Sequence, residues 1–445
     1  MSNNRVVVTG LGVVSPIGSD PDALWQSLSS GRSGISRIDS LATDSLPFQS
    51  GAEVKDFTGA IEDYGPLDKT LQRSIKKNMK VMCREIEMGV AAAQKAIADC
   101  GIAGNRVPER CGCLFGCDYI LTRPEEFSDG LNNCRLVSRS MVGATSENRS
   151  SDLVTAWPEH GLSRVNPLWL LKYLPNMPNS HVSIYNDLRG PNNAITVREA
   201  SMNLSLAEAT SIIQRGAADL MVVGATGSRL HPLRTTQVVL SEQVASEQPD
   251  PTAMSRPFDS TADGAVLGEG AGAVVLESLK HAQARGAKIW AEVLGCGASM
   301  VGRKVSENHL YKAIHQAMKN CLSQSASALG TDWHLHAQGL SSPNADQAEA
   351  RAIASLYSEL GYERPVTAAK SYFGNLGAGG AAVELICSLL AIQQGKFIPI
   401  RNLLRPIPEA TWYKASDGVA SGRGFLHSSF TLQGQAACVA LGRIE

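Results

Sequence analysis

Glu199 occupies the position in this chain most suited to chemistry. An apolar approach, AITV from Ala194, leads into Arg198-Glu199-Ala200-Ser201, and a helical stretch, NLSLAEATSIIQRG, runs on to Gly216. A strand that enters a helix through a tight corner sets the corner side chain at a helix N-terminus, where unpaired N–H groups and the macrodipole favour negative charge. A carboxylate there could serve as a general base, or it could satisfy the helix end and pair with a buried cation. Lys370 is the expected cation, and a structural Glu199–Lys370 pair is preferred to catalysis. Along WHLHAQGL, alternation puts His334, His336 and Gln338 on one strand face. Two residues of strand span roughly 6.6 to 6.8 Å, so His336 would not reach the atoms that Gln338 reaches, and both histidines read as core or supporting residues. Among ten cysteines, Cys111, Cys113 and Cys117 in RCGCLFGCDY lie close together, but their spacing fits no common ligand pattern. A buried strand using cysteine as a small hydrophobe is the expectation, with no metal and no cofactor.

The elements that must position these side chains alternate. Arg5–Val8 reads as a buried strand running into a glycine-rich turn, and a helix follows from Asp22. REIEMGVAAAQKAIADCG is helical and ends at Gly101, RCGCLFGC is a strand, and DLMVVGA follows the helix after Glu199. The segment from Ser138 to Gly161 is polar and turn-rich, an excursion over the surface or across a subunit interface. KIWAEVLGCGAS, WHLHAQGL, VTAAKSYFGNLG and CVALGRI read as strands or strand ends, with helices in ENHLYKAIHQAMKNCL and GGAAVELICSLLAIQQG. This is an α/β pattern. Its two halves have similar content and meet near Asp259–Glu269, so a duplicated unit is expected, divided as 1–260 and 261–445.

Size and charge narrow the function classes. With 445 residues and 43% hydrophobic content the chain can build two core-bearing halves, since single cores stop growing at roughly 250 to 300 residues. A net charge of −1, from 41 basic and 42 acidic residues, gives no global field for nucleic acid or an anionic membrane. The start, MSNNRVVVTGLGVVSPIGSD, lacks the features of a secretory signal, and no apolar run approaches the roughly 20 residues of a membrane span. A cytoplasmic protein with reduced thiols is expected. The basic run from Arg73 to Glu85 is either a docking face for an acidic partner or a solvated helix face.

Taken in order from Arg5 to the end, the motifs resemble the β-ketoacyl-(acyl carrier protein) synthases, in particular the type II elongating form. They are VVVTGLGVVSPIG, LLKYLPNMPNSHVSI followed by LRGPNNA, GAADLMVVGAT, SRPFDSTADGAVLGEGAGAVVLE, and AAKSYFGNLGAGGAAVE with SSF. The resemblance implies a thiolase-like five-layer αβαβα sandwich, with two mixed sheets around central helices and two duplicated halves. It also implies a dimer, and acyl chains delivered on the phosphopantetheine arm of an acyl carrier protein. The family's catalytic cysteine, counted from Gly190-Pro191, falls at Glu199. The histidine of its His-Gly-Thr string falls at Gln338, and the second histidine, after the lysine of Lys370, falls at Asn375. Either amide can donate a hydrogen bond, but neither can act as a proton carrier near neutral pH, and a carboxylate forms no comparable thioester. Leu432, Gln433 and Gly434 fall in the gating and oxyanion loop, Leu340 and Ser342 at arm-holding positions, and Asp346, Glu349 and Glu384 at retained positions near the site.

The expectation is therefore a non-condensing ketosynthase homologue of fatty acid or polyketide-type biosynthesis, similar to the chain-length-factor subunits that pair with an active synthase. One alternative is altered chemistry, a malonyl decarboxylase or acyltransferase using Glu199. The other is an acyl-chain or lipid binding protein. Homodimer and heterodimer with an active ketosynthase both stay open.

Overall fold

Nine consecutive buried residues, Val6–Val14, form β1. The strand continues through Gly10 and Gly12, where a turn was expected, with only a one-residue shift of register at Thr9. These glycines serve close packing: a Cβ on Gly10 would lie 2.2 Å from the Ala96 carbonyl oxygen, and one on Gly12 would lie 2.0 Å from that of Ala92. Both oxygens belong to a helix laid against the strand, and neither can yield. The structure, a computed structural model, describes residues 4–102, 106–141, 149–302, 307–413 and 419–444.

After β1, helix α1 (Pro21–Ser30) is capped by Asp20, which accepts from the Ala23 N–H, and stops at left-handed Gly31. A two-residue ladder joins β2 (Ser36–Arg37) to β3 (Ser50–Gly51). Then come α2 (Lys69–Asn78), α3 (Arg84–Cys100), β4 (Cys111–Gly116), α4 (Glu125–Met141), α5 (Arg149–Ala156), α6 (Met177–Tyr185) and β5 (Asn192–Ile195). The chain continues through α7 (Ser201–Gln214), β6 (Leu220–Ser228), α8 (Pro232–Ser241), β7 (Glu269–Ser278), α9 (Leu279–Ala284) and β8 (Ala291–Met300). It closes with α10 (Glu307–Leu329), β9 (Trp333–His336), α11 (Pro343–Leu360), β10 (Val366–Thr367), α12 (Lys370–Phe373), α13 (Ala378–Gln394), β11 (Gly424–Phe430) and β12 (Gln435–Gly442).

Three expectations are corrected here besides the glycine turn. Where described, Ser138–Gly161 is helical rather than turn-rich, being covered by the end of α4, by α5 and by a wide helical turn at Trp157–Gly161; residues 142–148 of that stretch lie outside the described residues. Phe127 sets its ring against Trp157 and Trp169, with centroids 6.2 and 5.0 Å away, a small aromatic core that the polar composition hides. Lys370 sits on the short helix α12 rather than on a strand. The helix after the corner starts at Ser201, so Glu199 lies in a preceding 3₁₀ turn, Arg198–Ala200.

The ten main strands run in the order β10-β9-β11-β12-β8-β1-β7-β6-β4-β5. Read outward from the central pair, β1, β7, β6, β4, β5 and β8, β12, β11, β9, β10 repeat one scheme: two antiparallel neighbours, then two parallel ones. The halves join where Val6, Val7 and Val8 pair with Val293, Glu292 and Ala291. Three cores separate the layers. Residues of α7 and α13 fill the space between the inner faces of both halves. On the outer face of one half Ala91, Ala92 and Ala96 of α3 pack on β4, β6 and β7, and α10 and α11 cover the outer face of the other. This is the five-layer α/β arrangement with internal duplication.

Candidate functional site

The corner after β5 is strained. Arg198 has φ +47°, outside the region that residues with a Cβ prefer. The turn is held by the Val197 N–H, which donates to Ser201 Oγ at 2.9 Å, while that hydroxyl donates to the Cys117 carbonyl at 3.2 Å. The strain aims Glu199 inward, where the residue is 4% exposed.

Glu199 does not meet Lys370. Its Oε1 forms a salt bridge with Arg229 Nη2 and accepts from Asn375 Nδ2 at 3.2 Å. Arg229 follows the end of β6, and its fork also reaches Glu242 Oε2 at 2.7 Å. Arg198 approaches Glu242 at 3.5 Å and Asp118 at 3.7 Å, and Arg234 binds Asp118 at 3.1 Å. Among the described residues, Arg198, Arg229 and Arg234 thus face Glu199, Glu242 and Asp118. Burial pushes the Glu199 carboxyl up, but Arg229, the corner's backbone N–H, Arg198 and Asn375 outweigh it and hold the pKa below the ordinary carboxylate value. Glu199 is an ionised, bridged anion and not a free base.

Lys370 is 1% exposed and takes a different partner, Glu384 on α13. A lysine on α12 faces α13 directly, whereas the planar fork of Arg229 can serve Glu199 and Glu242 at once. The second oxygen of Glu384 lies 3.3 Å from His427 Nε2. His334 and His336 are core residues, as expected. His334 Nδ1 donates to the Ser421 carbonyl at 2.7 Å, so its Nε2 accepts from the Ser388 hydroxyl at 2.9 Å. His336 Nδ1 then donates to Ser388 Oγ at 2.7 Å, and its Nε2 accepts from the Ala369 N–H at 3.3 Å. Burial lowers the His334 pKa to about 4 and pushes that of His336 well down. Both rings are neutral and fully engaged.

The two amides are occupied as well. Gln338 donates through Nε2 to the Phe430 carbonyl at 2.9 Å and accepts the Phe430 N–H on Oε1 at 2.7 Å. Asn375 spends a donor on Glu199, and its Oδ1 accepts from the Gly377 N–H at 3.0 Å at the head of α13. Glu349 accepts from the N–H groups of Gln338 and Gly339 at 2.7 and 2.8 Å, and Asp346 from those of Leu340 and Phe258 at 2.8 and 2.9 Å. Burial raises these acids to about 8 and about 7 respectively. Leu340 is buried, and Ser342 Oγ bonds Gln243 at 3.0 Å. Leu432, Gln433 and Gly434 form the turn between β11 and β12, with Leu432 half-buried and Gly434 at φ +91°.

Sequence profiles named for the β-ketoacyl synthase N-terminal and C-terminal domains match residues 3–282 and 290–404. The chain belongs to the β-ketoacyl synthase family. It is 31% identical over 408 residues to a 3-oxoacyl-[acyl-carrier-protein] synthase 2 of Coxiella burnetii, covering 91% of this chain and 90% of that one. The Synechocystis protein of the same name is 30% identical over 417 residues, covering 92% and 90%. Among solved structures, the ishigamide ketosynthase/chain length factor superposes with a TM-score of 0.77 at 25% identity over the whole of both chains. A β-ketoacyl synthase from Burkholderia phymatum gives 0.79 at 23%, covering 99% and 100%. A type II polyketide ketosynthase in complex with its acyl carrier protein gives 0.78 at 20%, covering 100% of each.

Within this β-ketoacyl synthase scaffold, Cys111 and Cys113 lie buried on β4, as the strand reading expected. Cys117 is near the corner, but burial pushes its thiol well up, so it is no substitute nucleophile. Arg229, Glu242, Asp118 and Arg234 were not foreseen. A signal existed for Arg229: a cation four residues past the apolar run LMVVGA must be either solvated or paired.

Proposed function

We propose that this chain is a non-condensing β-ketoacyl synthase homologue that acts as a chain-length-factor-like partner subunit. In this reading Glu199, Gln338 and Asn375 stand at the family's cysteine and two histidine positions. The observation that carries the proposal is the buried Glu199–Arg229–Glu242 ion network at the corner, which offers neither a thiolate nor a free base. Decarboxylation through Glu199 is disfavoured for the same reason, since the carboxylate is bridged by Arg229 and each amide already commits an N–H, Gln338 to Phe430 and Asn375 to Glu199 itself. Holding an acyl chain at the corner is disfavoured because an alkyl chain would lie among Arg198, Arg229, Arg234 and their acids.

Two surface features support a partner. Among the described residues β5 is the end strand, paired on one side only; Leu168, Leu170 and Ile184, which precede it in sequence, are exposed, and so are Leu233 and Leu240 on α8, the last at 82%. On α2 and just beyond it, Lys69, Arg73, Lys76, Lys77 and Lys80 are exposed, a basic face suited to an acidic carrier protein. The test is a purified chain given acyl- and malonyl-carrier protein, alone and with a cysteine-bearing ketosynthase from its source. We expect no elongation and no carbon dioxide release alone, and a stable complex with the synthase. Elongation by the pure chain would overturn the proposal, as would failure to bind any such synthase.

A further inference from the structure

We infer that the β11–β12 hairpin is latched shut over the Glu199 corner by two buried side-chain amides, Gln338 and Asn203, and does not work as a mobile gate. The Gln338 carboxamide closes both of its hydrogen bonds on one peptide unit pair of Phe430, at 2.9 and 2.7 Å. It acts as a strand neighbour would, past the end of β9. Its own backbone is fixed by Glu349 at 2.7 Å. From α7, Asn203 Nδ2 donates to the His427 carbonyl on β11 at 3.1 Å and to the Ala437 carbonyl on β12 at 3.3 Å. One amide thus bridges both arms of the hairpin, one helical turn beyond Glu199.

The tip is tied too. The Thr431 N–H donates to the Gln435 carbonyl at 2.8 Å, the Gly434 N–H to the Thr431 carbonyl at 2.9 Å, and the Val301 N–H, just past β8, to the Gly434 carbonyl at 3.0 Å. Swinging the tip away would break the Gln338 bonds and the Val301 bond together, leaving buried donors without water. Gln338 is 0% exposed and Thr431 2%. Ser428 and Ser429 Oγ on β11 have no partner among the described residues, so the hairpin is held by the Gln338, Asn203 and Val301 bonds and not by its own hydroxyls. The latch goes beyond the partner-subunit reading and does not depend on it, because it concerns how the hairpin moves and not what the corner can catalyse.

Hydrogen–deuterium exchange on the full chain tests it. In the wild type the Phe430, Thr431 and Gly434 amides should exchange at least about 100-fold more slowly than in a free peptide. Gln338→Met keeps the shape but removes both bonds, and should speed exchange at Phe430 and Thr431 about tenfold or more while the α7 amides stay protected. Should that variant fail to fold, Gln338→Glu keeps the acceptor for the Phe430 N–H and loses the donor, and should fall between the two. Free-peptide exchange at the tip of the wild type overturns the latch, and so does a Gln338→Met profile identical to wild type. A protected hairpin in a chain that condensed would keep the latch and remove the proposed function, so the two fail separately.

Discussion

Arg229 and Glu199 illustrate why a buried ion pair is better judged by removing one partner than by its attraction. Taking both charges out of water is expensive, and excellent geometry only offsets that expense. Arg229→Met leaves Glu199 and Glu242 without their shared cation and should destabilise the fold by about 3–5 kcal/mol in urea denaturation. Pairing it with Glu199→Leu should recover a large part of that loss, since an apolar pair of similar volume is often neutral. The same pair sets an acid limit. The folded pKa of Glu199 lies below its unfolded value, which is about 4.3. Its contribution is therefore complete above that value and is lost as pH falls through the folded pKa. The stability difference between wild type and Glu199→Gln should be flat from about pH 5 to about pH 8 and shrink on further acidification. A difference that grows instead would refute the ion-pair assignment. Placing a thiol at the corner with Glu199→Cys should yield no elongation by carrier-protein assay, because the Gln338 and Asn375 amides cannot act as acid or base near neutral pH and Arg229 still fills the corner.

At the scale of elements, contact between backbones decides what the glycines do. β1 pairs with β7 and β8 while α3 lies across it, and Gly10 and Gly12 leave no room for even a methyl group. Gly12→Ala should cost more than about 2 kcal/mol and lower the yield of folded protein, because the clash is with a helix carbonyl and not with a flexible side chain. By contrast, Gly31→Ala meets nothing within 4 Å, and its cost should be only the left-handed backbone penalty of roughly 1–2 kcal/mol. Thermal melts of the two variants distinguish packing from conformation. The strand was legible from its valines, but its length was not, since glycine marks both turns and close helix contacts.

For the whole molecule, the duplicated sheet gives the chain two unlike outer strands. β10 is two residues long, whereas β5 carries exposed Asn192 and Asn193 beside α6, whose Ile184 is exposed. Ile184→Asp and Leu240→Asp should each weaken association with a ketosynthase partner at least about tenfold in sedimentation or interferometry, with unchanged melting of the isolated chain. Unchanged association in both variants would move the interface elsewhere. The sequence by itself determined the family motifs, the alternating elements, the duplicated α/β plan and the carboxylate at the corner, because strand and helix periodicities and glycine strings are local and survive in linear order. Only the tertiary structure decided that Glu199 belongs to Arg229 and Lys370 to Glu384, that Gln338 grips Phe430, and that the polar stretch after α4 folds on three aromatic rings. Those pairings join residues between 14 and 92 positions apart, and what selects a partner over that separation is the direction in which each packed element points its side chain.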